Sequence, residues 1–459
     1  MGRTRQINNT QLYPFQEQAI DSIDDFEGRS LLALDMGLGK TLIALHYLER
    51  NPDTFPAIVV CPASVKYVWE HESIHHIGLR ASVLEGTRPS MNGYFVKRSK
   101  LTVLNYDILS HWLERLKALN PRTIILDESH YISNRKTKRS KATRELCKGV
   151  PYVIALSGTP LTNRPAELWS TLNILRPDLY PSFWNYGHRF CSPKLTPWGW
   201  TFRGATNLKE LRSKLGSQLM IRYRKEDVLT DLPEKVRQTI PCDLKDREQY
   251  EYASSDFLGW LKQHNSARLD GAKKAIALTR VSYLLKLSAR LKLRSVVRWV
   301  NKFLRETDEK LVLFAVHKKM IEALQRRCKA KSVVIDGSVT GRKRKAAVDQ
   351  FQHDRKTRLF IGNIRAAGIG ITLTAASTVG ITELDWVPGN LTQAEDRIHR
   401  IGQKKTSWVY YLIAGDTIEE RMCEILRQKQ KVIRDTLDGG NAPNDFDVFN
   451  RLLRTIGRE

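Results

Sequence analysis

At 459 residues the chain is too long for one ordinary core and fits two to three domains. Its 75 Lys and Arg against 49 Asp and Glu leave a net charge of +26, which favours a polyanionic partner over a basic surface that only aids solubility. The six cysteines (61, 147, 191, 242, 328 and 423) form no CxxC pair, against both a zinc clamp and a disulfide-stapled secreted scaffold, and no leader or apolar run near the ~18 residues of a membrane span is present.

These features predict reduced, mostly buried thiols in a soluble protein with no membrane partner, in the cytoplasm or nucleoid, or in the nucleus of a eukaryote.

Through the first part of the chain, short apolar runs alternate with segments of helical length: SLLAL (30 to 34), AIVV (57 to 60), LTVL (101 to 104), TIIL (123 to 126) and YVIAL (152 to 156). Continuous apolar strands between helices predict a parallel sheet covered on both faces. DMGLGK follows the first of these runs, DESH the fourth and SGTP the fifth. All three therefore belong at the carboxyl edge of the sheet, where open α/β sheets bind ligands.

Gly37, Leu38 and Gly39 form a turn that leads into a helix at Lys40, so backbone N–H groups and the positive helix end face an anion. Lys40 is expected on the β- and γ-phosphates and Thr41 on Mg²⁺. The GxxxxGK[ST] pattern is incomplete, because Leu34 stands where its first glycine belongs, and GLGKT alone also suits a tight turn. Asp127 is placed to hold the Mg²⁺ shell, and Glu128 to orient and deprotonate the attacking water. By itself the acidic pair also suits a helix cap.

The basic run NRKTKRSKATR (134 to 144) follows with six basic residues and no acid. Arg135, Lys136, Lys138 and Arg139 are its candidate phosphate contacts, with a solvated basic helix as the alternative. Residues 164 to 225, rich in aromatics and Pro, and 245 to 304 lack the strand rhythm and are read as helical insertions, with RYRKEDVLTDLPEK (222 to 235) as connector. Lys286, Arg290, Arg294 and Arg298 recur every four residues and share one side of a long helix, either on a duplex or in solvent. GRKRK (341 to 345) is a third basic cluster with the same ambiguity.

A second α/β rhythm begins after about residue 310: LVLFAV (311 to 316), SVVI (332 to 335), RLFIG (358 to 362), VGITEL (379 to 384) and WVYYLI (408 to 413). Near its end, QAEDRIHRIGQ (393 to 403) places Arg397 and Arg400 one helical turn apart, so that both emerge on one face toward a γ-phosphate held by the other lobe. Such an arginine accelerates NTP hydrolysis by roughly 10³- to 10⁵-fold. The predicted organisation is a nucleotide-binding lobe over 1 to 225, a connector with helical insertion over 226 to 305, a second lobe over 306 to 435 and a tail over 436 to 459.

With these residues in hand, the chain resembles the Swi/Snf-type helicase-like ATPases of superfamily two, and among them the annealing-helicase (HARP-type) branch. LYPFQ (12 to 16), ALDMGLGKT (33 to 41), CPASV (61 to 65), DESHYISNRKTKRSKA (127 to 142), LSGTPLTNRPAELW (156 to 169), ILRPDLYPSFWNYGHRFC (174 to 191) and ELDWVPGNLTQAEDRIHRIGQ (383 to 403) carry the likeness, which runs from Leu12 to about Leu426. It implies an α/β fold of two RecA-like lobes (the P-loop NTPase fold), ATP and Mg²⁺ as cofactors, and sequence-nonspecific binding of duplex or forked DNA by a monomer.

The resemblance further implies that Gln16 reads adenine and that Ser157 and Thr159 couple hydrolysis to lobe movement. Gly368 and Gly370 belong to a segment that touches DNA backbone and nucleotide, and Gln393 to the arginine-bearing motif. Read without the resemblance, Ser157 to Pro160 is also a simple turn and the two glycines are packing glycines.

Tyr13, Leu34 and Tyr223 depart from the family pattern, at positions usually held by Arg, an acid and a paired arginine, and remove no catalytic group. Only about ten residues precede the first motif, so targeting is expected from the motor itself or from a targeting or single-strand-binding protein. The leading expectation is an ATP-dependent DNA translocase, ahead of a strand-separating helicase on DNA or RNA and of a nonenzymatic nucleic-acid scaffold.

Overall fold

The computed structural model describes residues 11 to 88, 99 to 197, 199 to 263, 271 to 339, 341 to 368 and 370 to 439, together with 446 and 449. Two compact units divide the chain: Met1–Leu232 with Lys431–Pro443, and Pro233–Gln430 with Asn444–Glu459.

In the first unit the strands are β1 (Arg29–Leu32), β2 (Ala57–Cys61), β3 (Ser82–Val83), β4 (Leu101–Asn105), β5 (Thr123–Leu126), β6 (Tyr152–Leu156), β7 (Lys194–Thr196), β8 (Gly199–Thr201) and β9 (Met220–Ile221). Seven of them form one parallel sheet in the order β3-β4-β2-β5-β6-β1-β9, while β7 and β8 pair apart as an antiparallel hairpin. Because β5, β6 and β1 are neighbours, the three loops that carry DESH, SGTP and DMGLGK leave the sheet side by side. The side chains of Leu31, Ile58, Val60, Ile124, Leu126 and Val153 enter one core, and the alternate residues Leu32, Val59, Ile125 and Ile154 are buried too. Covering both faces in this way is what makes each strand read as an unbroken apolar run.

The second unit repeats the plan with β10 (Lys235–Pro241), β11 (Leu311–Ala315), β12 (Ser332–Ile335), β13 (Leu359–Asn363), β14 (Thr378–Ile381) and β15 (Ser407–Ile413), all parallel, in the order β10-β15-β14-β11-β13-β12. Along β11, Val312 and Phe314 point into one core while Leu311, Leu313 and Ala315 point into the other, following the two-residue period of a strand. Each such side chain contributes about 1.5 to 3 kcal/mol by leaving water. Two parallel sheets flanked by helices give the α/β, RecA-like fold class expected from the sequence.

Several expectations need correction. The segment read as connector and helical insertion holds β10, which pairs along its whole length with β15. The aromatic segment 164 to 225 contains the β7–β8 hairpin and β9 as well as helices. The region read as a tail is divided: Leu437 packs in the first unit's core, and Phe446 and Phe449 in the second's, while Ile433, at the end of the segment read as the second lobe, packs against the first unit's core. All six cysteines are free and buried, as predicted. Among the described residues, no helix is long and apolar enough to cross a membrane.

Candidate nucleotide site and basic surfaces

The phosphate loop runs from the end of β1 to the helix Lys40–Arg50, and Gly37 and Gly39 both have positive φ, +87° and +80°. That left-handed backbone suits glycine and turns the chain sharply into the helix. Lys40 is half-buried and folds back on its own loop, donating from Nζ to the carbonyls of Leu34 (2.8 Å) and Asp35 (3.1 Å). Burial lowers its pKa, against the opposing pull of Glu128, Asp35 and Asp127. An ammonium facing three acids from a glycine turn is placed to receive a polyanion.

Asp127 stands at the end of β5, with its backbone N–H on Val60 O (2.9 Å) and its Oδ2 accepting from Trp69 Nε1 (2.8 Å). Burial and the adjacent Glu128 push its pKa up to about 6, although Trp69 and Lys40 favour the charged form. Glu128 is buried, in the left-handed region at φ 49°, with its Oε2 3.3 Å from His130 Nδ1. A non-glycine residue held in that conformation re-aims its side chain relative to the strand. Mg²⁺ in nucleotide sites takes one or two protein oxygens plus phosphate and water. The chemistry of Asp127 fits that demand, since a dication would restore the charge that burial opposes, and Thr41 carries a hydroxyl in the first turn of the helix Lys40–Arg50.

Gln16 is buried against the phosphate loop. Its Nε2 donates to Leu38 O (3.1 Å), its Oε1 accepts from Tyr13 N–H (3.0 Å), and a Cβ on Gly39 would lie 2.5 Å from the amide. The SGTP turn packs on the loop's other side, where Gly158 gives room to the Met36 side chain. Ser157 is tied by its N–H to Leu32 O, and its Oγ accepts from Thr159 N–H (3.2 Å). Gln16, the loop, the acidic pair and Ser157 are thus gathered at one edge of one sheet.

Arg222, missed in the sequence as part of a charged connector, anchors this edge. It follows β9, the neighbour of β1, and its guanidinium meets Asp35 (2.9 Å), Asp438 (2.8 Å) and the carbonyl of Ala33 (2.8 Å). Burial alone would lower its pKa, but the two carboxylates raise it. Asp35 Oδ2 also accepts from Lys225 N–H (3.1 Å).

In the second unit the helix bearing Gln393 ends at Glu395, so Arg397 and Arg400 lie in the turns beyond it and do not share a helical face. Arg397 is buried, donating to Gln393 O (3.1 Å) and Ile371 O (3.0 Å), while Arg400 donates to Thr372 Oγ1 (2.8 Å). Both nevertheless hold the same segment, just after Gly368 and Gly370. Gly368 has no room for a side chain, since a Cβ there would fall 2.2 Å from Ile364 O, and Gly370 has φ +67°. The helix stops where Glu395 is clamped by Arg237 (2.8 Å), Lys235 (3.1 Å) and Tyr411 (2.6 Å). Burial would raise the Glu395 pKa, but Arg237 and Lys235 hold it at about 2.

The basic segments divide by exposure. Lys136 and Lys138 are exposed, whereas the guanidinium of Arg135 lies over Phe183 (4.0 Å) and that of Arg139 over Tyr131 (5.6 Å). Lys286, Arg290, Arg294 and Arg298 all emerge on the exposed side of the helix Gly271–Glu306, with Arg290 also donating to Gln249 Oε1 (2.8 Å). In GRKRK, Lys343 and Lys345 are exposed and Arg344 is buried; the surroundings of Gly341 and the side chain of Arg342 lie outside what is described.

Comparison with known proteins adds to this geometry. A family model for the SNF2-related domain matches residues 25 to 294, and one for the helicase conserved C-terminal domain matches residues 292 to 402. The chain is 34% identical over 92% of its length to the SWI/SNF-related matrix-associated actin-dependent regulator of chromatin subfamily A-like protein 1 of Xenopus laevis, covering 44% of that protein. It is 35% identical over 93% of its length to the DNA annealing helicase and endonuclease ZRANB3 of Homo sapiens, covering 40% of it. The chain therefore spans less than half the length of these curated relatives. The Sulfolobus solfataricus SWI2/SNF2 ATPase core in complex with dsDNA aligns with 98% of this chain and 96% of its own, at 24% identity and a TM-score of 0.46.

Proposed function

The chain belongs to the SNF2-related family, and from that premise we propose that it is a DNA-dependent ATPase that moves along duplex or forked DNA, remodelling forks or annealing strands. The observation that supports this reading is the adjacent pair of half-buried Asp127 and buried Glu128 at the end of β5, acting electrostatically on Lys40 at the glycine turn. In this reading Lys40 leaves the carbonyls of Leu34 and Asp35 for the β- and γ-phosphates of ATP. Asp127 and Thr41 would hold Mg²⁺, which neutralises phosphate charge. Glu128 orients the attacking water and takes its proton. Arg397 and Arg400 stabilise the charge that develops on the γ-phosphate, with Arg400 the more accessible of the two.

Gln16 reads adenine with the amide capacity that Leu38 and Tyr13 leave over, and Ser157, Thr159, Gly368 and Gly370 transmit the nucleotide state. The exposed Lys136, Lys138, Lys286, Arg294 and Arg298 follow DNA phosphates, which gives affinity without sequence preference. Annealing is the activity named for the ZRANB3 relatives and comes to this chain as part of the proposal.

ATP hydrolysis measured at fixed salt with single-stranded DNA, duplex, forked DNA and RNA tests the reading. Duplex or forked DNA should stimulate most. Absence of stimulation by every DNA, or a lead by RNA, would overturn it. In the same assay Arg400→Ala should retain ATP binding and lose turnover, and wild-type turnover would remove the arginine's role.

A further inference from the structure

We infer that the helix Phe183–Phe190 and the β7–β8 hairpin together form a stacking platform for the bases of unpaired nucleic acid, a site distinct from the phosphate-tracking surfaces. It depends on the proposed function only for its choice of ligand. Trp184, on the helix, is 50% exposed, and Trp200 and Leu195, directly opposed on the hairpin, are 44% and 69% exposed. Trp184 and Trp200 meet edge-on with ring centroids 5.9 Å apart, and His188 lies 4.4 Å from the first and 5.0 Å from the second. Large aromatics clustered on a surface mark an interaction site.

The platform is preorganised. Phe202, just beyond the hairpin, packs against Trp184 (5.7 Å), Phe183 (5.2 Å) and His188 (5.5 Å). It reaches the helix backbone because position 187 is glycine; a Cβ there would lie 2.6 Å from its ring. The hairpin turns at Gly199, φ +100°, and Thr196 Oγ1 donates to Gly199 O (2.6 Å). The exposed indoles are therefore held by packing beneath them, which limits the ordering cost when a ligand binds.

Charge decides the occupant. From Leu179 to Lys209 the chain has no Asp or Glu, while Arg189, Lys194, Arg203 and Lys209 contribute cations, Arg189 being paired with Glu210. Arg135, from the loop after DESH, lies 4.0 Å over Phe183 beside the cluster. Exposed indoles within a basic segment that itself carries no acid match a strand that offers both a phosphate backbone and open base faces. A paired duplex hides those faces in its stack, so the ligand is the unpaired strand.

The test compares a labelled oligodeoxythymidine with an abasic strand of the same length, which keeps the phosphates and lacks the bases. The wild-type protein should prefer the thymidine strand by roughly tenfold, the scale of one stacked base. Trp184→Ala with Trp200→Ala should abolish that preference while leaving duplex-stimulated hydrolysis unchanged, and Trp184→Phe with Trp200→Phe should keep most of it. Equal binding of both strands by the wild type overturns the site even if the alanine variant fails to fold. So does a preference that survives in a folded alanine variant. A wild type that shows the thymidine preference but no DNA-stimulated hydrolysis would sink the motor reading and leave the platform standing.

Discussion

Arg222 contacts Asp35 at 2.9 Å, and Asp35 opens the loop whose carbonyls hold Lys40. The same guanidinium grips Asp438, 216 positions further along the chain, so one half-buried cation joins a sheet edge, the phosphate loop and the end of the last described helix.

Replacing Arg222 by Met should leave two carboxylates without their cation and destabilise the first unit by about 3 kcal/mol. Urea denaturation followed by tryptophan fluorescence measures this. Arg222→Met combined with Asp35→Asn and Asp438→Asn should recover much of the loss, because the uncompensated charges go with it. An unchanged midpoint in the single variant would mean that the triad does not stabilise the fold.

Asp127 should cost the fold stability at neutral pH. An unfolded aspartate titrates at about 3.9 and folded Asp127 at about 6, so its raised pKa contributes stability that is fully present below about pH 4 and lost as pH rises through about 6. Asp127→Asn stays neutral throughout and can still accept from Trp69. It should exceed the wild type by roughly 3 kcal/mol at about pH 7, come close to it at about pH 4, and hydrolyse no ATP. Denaturation at the two pH values checks the sign; a variant less stable than wild type at neutral pH would refute the burial argument.

The longer inner strands of both sheets could be read from the sequence because they are buried on two faces, so apolar residues run without interruption, as in TIIL and LVLFA, whereas β3 and β9, two residues each, are too short to show as runs. β10 escaped because it reads KVRQTIP, half polar, as an edge strand with neighbours on one side only. Arg397 and Arg400 have helical spacing, yet Arg237 and Lys235 of that unread strand clamp Glu395 where the helix stops. Residues within one motif, such as Asp127 and Glu128, were legible from local order. Arg222 was not, because its partners lie in other segments and nothing beside it in the chain marks it as tied to them.

Lys292 was also hidden, inside a basic helix whose exposed arginines drew the eye. Its side chain is fully buried and donates to Glu419 Oε2 and Leu412 O, both at 2.7 Å, while Glu419 accepts from Ser288 Oγ (2.8 Å) and Ala414 N–H (3.0 Å). Lys292→Met should cost about 3 to 5 kcal/mol by stranding the carboxylate. Adding Glu419→Gln should restore a large part, since the amide oxygen still accepts and carries no charge. Thermal and urea unfolding of the single and double variants measure the coupling; additive losses would show that the two residues do not act as a pair.

The stripe on the outer side of the same helix separates a DNA contact from a solvated face. Lys286, Arg294 and Arg298 are exposed, so neutralising them leaves packing intact, whereas Arg290 is better kept because it holds Gln249. Each phosphate neutralised by a cation steepens the fall of log affinity with log salt by about 0.9. If the three residues track phosphates, Lys286→Ala with Arg294→Ala and Arg298→Ala should weaken duplex binding at low salt and flatten that slope by about 2 to 3. Duplex titrations at several salt concentrations read both quantities from one data set. A lower affinity with an unchanged slope would point to altered shape without lost phosphate contacts, and an unchanged affinity would assign the stripe to solvent and leave DNA binding to Lys136, Lys138 and the other exposed cations.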